Sequence, residues 1–433
     1  MFVYYKVGNV LSFDEPVVLS MIEQRKTKRH EEHIIEDAGV RCLRGGVVYG
    51  ANASGKTNLI KSMHFLLNAI RANDCACLKG LQFAMRGKLS PVMAWEVAFT
   101  AIDELFVYSI DTDGLSVLKE ALYRISVDKE MVFERSQKSG FQLGEMLSAD
   151  PWFDKKIKSA SFYIRKVEED GLFERKDETP ASRLMKSVIS SLKSVEILSA
   201  DSSVRVSSPI KNLKIADFKA FLKQLLRAAD VGITDIKWIT VPSNDRIMSF
   251  ARFILPENAL KRDGINFFRA NGSFWAVVVS GGVAKFSELK FIHGSVPMRG
   301  MHESDGTIKL LEYSVFLYSL VHEDKLWVVD EIDRSLHPFL SRFVLDMTLC
   351  GAVGRSQLLV TTHDTTLLSQ SLWRTDEVWF TEKRPDGSTD LYSLYQFKPR
   401  FDVDLAKGYL EGRWGAIPYL GKGVDDVCTS KES

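Results

Sequence analysis

The sequence has no apolar run long enough to span a bilayer and no stretch resembling a secretion leader, so neither a membrane-embedded nor an exported protein is expected, and a cytoplasmic setting is. Cysteine is scarce. The five cysteines, Cys42, Cys75, Cys77, Cys350 and Cys428, are odd in number and scattered, which argues against a disulfide framework. Only Cys75 and Cys77 lie close together, and without a second Cys/His pair at ligand spacing they read as a packed or exposed thiol pair. Charge of one sign is lacking too: the net charge is +1, so any DNA contact would need a local patch. There is no low-complexity tract and no sustained heptad, so neither a disordered tail nor a coiled-coil arm is expected. An Asn-Lys-x-Asp guanine-reading motif is missing, which disfavours GTP.

What is present centres on residues 43–60. Gly50-Ala-Asn52-Ala-Ser54-Gly55-Lys56-Thr57 fits the phosphate-cradling pattern G-x-x-x-x-G-K-[ST], behind an apolar strand Val47-Val48-Tyr49 and ahead of a helical pattern reaching about Ala72. A loop of small residues can turn backbone N–H groups toward a triphosphate while the helix presents its positive end. Lys56 is then expected to reach the β- and γ-phosphates and Thr57 to hold Mg²⁺, with Gly50, Asn52, Ser54, Gly55 and Asn58 lining the nucleotide.

At 433 residues the chain should form two lobes. Residues 2–20 suggest a strand pair. The charge run Arg25–His30 with Glu31-Glu32 reads as a solvated loop. Residues 94–99 and 105–110 read as strands joined at Asp103-Glu104, with Asp113-Gly114 closing the second. From about Ile125 to Glu288 no chemical motif appears. Ile215–Ala229 has helical spacing, and Lys211, Lys214, Lys219, Lys223 and Arg227 on or before it read as a solvated face. The expected division is 1–125 and 285–433 as one ATPase head, with 126–284 as an inserted, largely helical lobe in an α/β protein.

The later motifs return to nucleotide chemistry. Leu326-Trp-Val-Val329 is an apolar strand ending in Asp330-Glu331; the first carboxylate is placed to share the metal with Thr57, the second to orient and deprotonate the attacking water. A further strand, Gln357–Thr362, ends at His363, whose imidazole can report the γ-phosphate. Ser304-Asp-Gly306-Thr opens a helix, either as an anion site or as an ordinary cap.

This ordered set, with Ser335-Leu-His337-Pro338, resembles an ABC-type ATPase head of the SMC-like and DNA-repair branch. The opening Val7–Phe13, Asp330–Pro338, Gly387–Tyr392 and Tyr409–Pro418 resemble a bacterial family of AAA-type ATP-binding proteins. Its members include ATPases of anti-phage defence and abortive infection, relatives of the overcoming-lysogenisation-defect nucleases. The resemblance implies a homodimer closing on two ATP molecules. Lys56, Thr57, Asp330, Glu331 and His363 act in cis, Ser304 and Gly306 in trans, and Ser335 and His337 lie at the seam. The family's metal-linking glutamine has no assigned match, Gln82 being the candidate. Only 70 residues follow His363, too few for the related nuclease module, so a nuclease or toxin effector is expected on a separate chain. DNA stays open as a contact and no membrane partner is expected. The alternatives are an ATP-bound scaffold that sequesters an effector without turnover and a DNA-repair-type ATPase.

Overall fold

The computed structural model describes residues 1–85, 91–199, 212–213, 215–242, 245–255, 258–350 and 354–418. Lys211, Lys214 and Cys428 fall outside them. Elements are numbered in chain order, and the chain divides into two units, one of residues 1–200, 323–332 and 354–433, the other of 201–322 and 333–353.

The first unit is built on two sheets. One is antiparallel and contains β1 (Phe2–Gly8), β2 (Val17–Ser20), β6 (Met93–Ala101), β7 (Glu104–Thr112), β8 (Val117–Ile125), β9 (Lys129–Ser136) and β10 (Gly140–Leu143). Their order is β10-β9-β8-β7-β6-β1-β2. The other contains β5 (Gly45–Tyr49), β11 (Val195–Leu198), β17 (Leu326–Val329), β18 (Gln357–Thr361), β19 (Val378–Lys383) and β20 (Thr389–Ser393). It is ordered β11-β17-β18-β5-β19-β20, parallel except for the β19-β20 hairpin. β3 (Ile34–Asp37) and β4 (Val40–Leu43) form a separate pair. The parallel strands β5, β17 and β18 are buried along their whole length, as continuous apolar runs covered on both faces should be.

α1 (Lys56–Ala72) follows β5. Its Leu59, Ile60, Met63 and Leu66 recur at helical spacing and are buried in the core shared with Tyr5, Val7, Trp95 and Phe106 of the antiparallel sheet. Each such side chain contributes about 1.5–3 kcal/mol. Tyr5 and Ser62 share a buried hydroxyl hydrogen bond of 2.9 Å between β1 and α1. The buried Gln357 amide stitches the sheets together, accepting from Phe2 N–H (2.7 Å) and donating to the Phe2 and Leu43 carbonyls (3.0 and 2.9 Å). α2 (Glu145–Ser148), α3 (Tyr163–Glu169), α4 (Pro180–Lys193) and α9 (Leu405–Leu410) complete this unit's helices among the described residues.

The second unit holds β12 (Asp235–Val241), β13 (Gly264–Ala270), β14 (Ser273–Ser280), β15 (Val283–His293) and β16 (Val296–Arg299), ordered β12-β15-β14-β13 with β16 beside β15. Its helices are α5 (Ala216–Ala228), α6 (Asp245–Ile254), α7 (Asp305–His322) and α8 (Pro338–Leu349). Phe218, Leu222, Leu225 and Leu226 of α5 are buried, and Phe218 and Phe221 meet Tyr318 of α7 edge-on. The bases of α5 serve structure: Lys223 pairs with Asp235 at 2.6 Å and Arg227 donates to the Thr234 carbonyl.

The division expected at 125/126 and 284/285 is corrected. Residues 126–200 belong to the first unit, and β11 forms an edge of the parallel sheet against β17. Nor is 126–284 largely helical, since β9 to β14 lie within it. Short runs such as Val195-Glu-Ile-Leu198 carry too few residues to separate strand from helix by period, so only the pairing decides. The 101–104 turn is also shifted: Ile102 and Asp103 have φ of 45° and 56°, and Ala101 pairs with Glu104. A β-branched residue is an unusual occupant of that conformation, which is why Asp103-Glu104 looked the better turn. Among the described residues no helix is long and apolar enough to cross a membrane.

Candidate functional site

β5, β17 and β18 are parallel and end together, Val48 facing Thr361 and Val329 facing Val360. The chain leaves them as Gly50, Asp330 and Thr362-His363, at the carboxyl end of a parallel sheet, where open α/β folds bind ligands.

The loop from Gly50 to Gly55 is held on its outer side by the C-terminal hairpin. Ser54 and Thr381 of β19 share a hydroxyl hydrogen bond of 2.6 Å, and the Thr389 hydroxyl of β20 donates to the Ser54 carbonyl at 2.9 Å. Ser12 joins the same cluster, 2.8 Å from the Thr389 hydroxyl. Gly55 has φ of 117°, and a Cβ there would run into the Thr389 side chain. A glycine is therefore required for both conformation and space. Gly55 caps α1 with no side-chain hydrogen bond, which leaves the first-turn N–H groups and the positive helix end for an anion.

Lys56 is 5% exposed, and its ammonium donates to the Gly50 and Ala51 carbonyls at 2.7 and 3.1 Å, across the loop. Thr57 and Asn58 are partly exposed on the first turn, while Asn52 is exposed on the loop and Ser54 is buried.

The Asp330 carboxylate is 3% exposed and accepts from the Thr361 hydroxyl at 2.6 Å. Glu331 follows with φ of 51°, a left-handed conformation that costs about 1–2 kcal/mol for a residue with a side chain. Its N–H donates to the same Thr361 oxygen at 2.8 Å, and Ile332 N–H donates to the Thr361 carbonyl. Thr361 thus fixes where both acids emerge. His363 is exposed just past β18, and the next residue accepts at its carbonyl from the Tyr49 hydroxyl at 3.3 Å. The tip of β18 is thereby tied to the residue before the loop.

Tyr49 also meets Tyr409 of α9 with ring centroids 6.0 Å apart, and Tyr409 stacks on Phe380 at 5.5 Å. Burial pushes the Tyr409 hydroxyl up to about 12, so it stays a neutral donor to the Ala416 carbonyl. The C-terminal stretch 409–416 thus packs behind the loop strand.

Ser304 and Gly306 lie in the second unit. The Ser304 hydroxyl accepts from Thr307 N–H at 3.1 Å, so it caps α7. A Cβ at Gly306 would come 2.9 Å from the Ser335 carbonyl, which makes the Ser304 turn and the Ser335–His337 stretch direct neighbours. His337 caps α8 by accepting from Phe339 N–H at 3.3 Å. The Gln82 side chain donates to the Asp113 carbonyl at 3.1 Å.

Thr361, Thr381, Thr389 and Ser12 escaped sequence reasoning as site residues. Their only signal was position, Thr361 at the end of an apolar strand and the other three outside any nucleotide motif. The donor set suits a magnesium-bound triphosphate. Two glycine positions leave backbone facing a small cradle, an ammonium crosses it, and the hydroxyl and carboxylate oxygens of Thr57 and Asp330 are the hard donors that Mg²⁺ prefers.

The family model described as "AAA domain, putative AbiEii toxin, Type IV TA system" matches residues 292–369, a span containing Ser304, Gly306, Asp330, Glu331 and His363. No curated protein matches the chain. Among solved structures, the chain is similar to an SmcHead bound to the C-winged helix domain of ScpA, at 13% identity over 92% of this chain and 99% of that one, with a TM-score of 0.46. It is similar also to the SMC head domain from Thermotoga maritima, at 10% identity over 90% and 98%, with a TM-score of 0.39. A third is the Pyrococcus furiosus Smc head domain with an extended coiled coil bound to the C-terminal domain of ScpA, at 12% identity over 95% and 99%, with a TM-score of 0.40. By the match at residues 292–369, the chain carries a domain of the AAA-type ATPase family.

Proposed function

We propose that this protein binds ATP with Mg²⁺, hydrolyses it, and uses the cycle as a switch between two copies of itself. The observation that carries the reading is the common end of β5, β17 and β18, where the phosphate-loop residues, the two acids and His363 leave neighbouring strands. The α1 N–H groups and Lys56 bind the phosphates. Thr57 and Asp330 hold the metal, which when bound neutralises charge on the β- and γ-oxygens. Glu331 orients the attacking water and accepts its proton, and Thr361 keeps that carboxylate beside Asp330. His363 donates to the γ-phosphate. Asn52 and Asn58 border the nucleotide.

Ser304, Gly306 and the α7 N-terminus face the ATP held by the second copy, with Ser335 and His337 at the seam. The matched family's toxin–antitoxin description supports an output through a separately encoded effector in anti-phage defence, with DNA as a further contact. The test is a Glu331→Gln variant. It should bind ATP with Mg²⁺, run as a dimer in light scattering after gel filtration with ATP, and lose turnover. Wild-type turnover in that variant would refute Glu331 as the base, and a monomer with ATP bound would refute the closing dimer.

A further inference from the structure

Outside the nucleotide site, the residues that read as a solvated charge run are tied down. The side chains of Arg25, Lys26, Lys28 and Arg29 are exposed, but the backbone is pinned: Gln24 N–H and Arg25 N–H donate to Asp376, and the Arg25 and Arg29 carbonyls accept from the buried Arg374. At the end of this segment a short 3₁₀ turn, Glu31–His33, brings His30, Glu32 and His33 together. One ligand atom from each lies within 4.8 Å of the other two, the only such group among the described residues.

The hydrogen bonds determine which nitrogens point inward. His30 Nε2 lies 3.0 Å from the Gln370 carbonyl, which can only accept, so Nε2 carries the proton and Nδ1 presents a lone pair. His33 Nδ1 lies 3.0 Å from the buried Glu377 carboxylate, so Nε2 presents its lone pair in the same way. Both inward nitrogens face Glu32 Oε1, at 3.3 Å from His30 and 3.9 Å from His33. The two rings stack with centroids 4.6 Å apart. Three electron-pair donors thus converge with no hydrogen between them, and each imidazole is oriented from behind by an acceptor, the arrangement that outer partners impose on metal-binding histidines.

We propose that His30 Nδ1, His33 Nε2 and a Glu32 carboxylate oxygen bind a zinc ion, with a water in the fourth position. Tetrahedral zinc with bonds of about 2.0–2.2 Å places its ligand atoms about 3.3–3.5 Å apart, so the triangle needs to close by only a few tenths of an ångström. Two imidazoles and one carboxylate match the ion's ligand preference. Glu32 together with Glu377 behind His33 balances its double charge. Glu32 is half exposed, which gives the ion its entry path and the water its place. Zinc here joins the segment before β3 to residues 370–377, which lead into β19 beside the phosphate-loop strand.

The test uses the full chain, stripped with a chelator and free of nucleotide, titrated with Zn²⁺ against a chromogenic competitor. One equivalent is expected, with a zinc-dependent rise in Tm. His30→Ala and Glu32→Gln should each weaken binding by at least about 10-fold and abolish the Tm rise, while the apo Tm stays near wild type. His33 is avoided because it is 1% exposed and bonded to Glu377. Asp330→Asn should keep the equivalent. The proposal is overturned if no saturable zinc binds, if His30→Ala binds as tightly as wild type, or if Asp330→Asn removes the ion, which would place it in the nucleotide site.

Discussion

The hydroxyl of Thr361 donates to Asp330 at 2.6 Å and at the same time accepts from the N–H of Glu331 at 2.8 Å, so a single side chain on β18 positions both acids at the end of β17. Thr361→Val keeps the shape and removes the oxygen. Leaving a buried carboxylate and an N–H without that partner should cost about 1–3 kcal/mol in urea unfolding. Turnover should fall by about 10-fold or more while ATP affinity changes little, because the acids act on water and metal and not on the bulk of the nucleotide. Thr361→Ser should recover most of both losses. Unchanged kcat in the valine variant would remove Thr361 from the account.

Lys56 spans the loop carbonyls and is the one buried ammonium there. Losing charge-assisted hydrogen bonds worth about 1.5–3 kcal/mol should weaken ATP by about 10- to 150-fold in Lys56→Ala, read by calorimetry with Mg²⁺ present. Wild-type affinity in that variant would dissociate the loop from nucleotide binding.

Gly55→Ala meets two obstacles, a φ of 117° and the Thr389 side chain. ATP binding should be lost in the single variant. Adding Thr389→Ala relieves only the collision, so the double variant should recover part of the affinity. Full recovery would mean that backbone conformation plays no part.

If each nucleotide is completed by the other copy, Lys56→Ala and Ser304→Arg, inactive separately, should regain turnover when mixed, since the mixed dimer contains one complete site. An inactive mixture, with the two chains shown to associate, would refute the trans assignment of Ser304.

A pH effect follows from Asp150. Burial alone would raise its pKa, but Arg175 (2.7 and 3.2 Å), the Thr179 hydroxyl (2.8 Å) and Trp152 N–H (3.2 Å) outweigh burial and hold the carboxyl below its ordinary value. The unfolded chain binds that proton first, at about 3.9. The contribution is therefore complete above that pH and disappears as pH falls through the lower folded value. Asp150→Asn should have a flatter urea midpoint between about pH 5 and pH 3 than wild type. Parallel curves would exclude this carboxylate as a source of acid sensitivity.

The parts of the fold visible in the sequence were those whose cause is local. Val47-Val48-Tyr49, the loop and α1 are contiguous, and buried parallel strands such as Leu326–Val329 announce themselves as unbroken apolar runs. What stayed hidden depends on contacts far apart in sequence. The Thr389 hydroxyl meets Ser54 across 335 residues, and Glu377 reaches His33 across 344. β12 interleaves Lys237 and Thr240 with Trp238 and Ile239 on a half-exposed strand, a pattern with no long apolar stretch to reveal it. The turn at Ser304 shows a different limit. A cap and an anion site use the same hydroxyl and the same N–H groups, so local sequence cannot separate them.

Because Thr381 and Thr389 form the outer wall of the loop, the first half of the nucleotide cradle leaves the ribosome long before the second. At about 5–20 residues per second, the 335 residues between Ser54 and Thr389 take about 20–70 s to synthesise. During that interval the nascent chain has the phosphate loop without the hairpin that braces it. Competence for nucleotide is acquired only near the end of translation, and an incomplete polypeptide stalled before β19 has no means of engaging the switch.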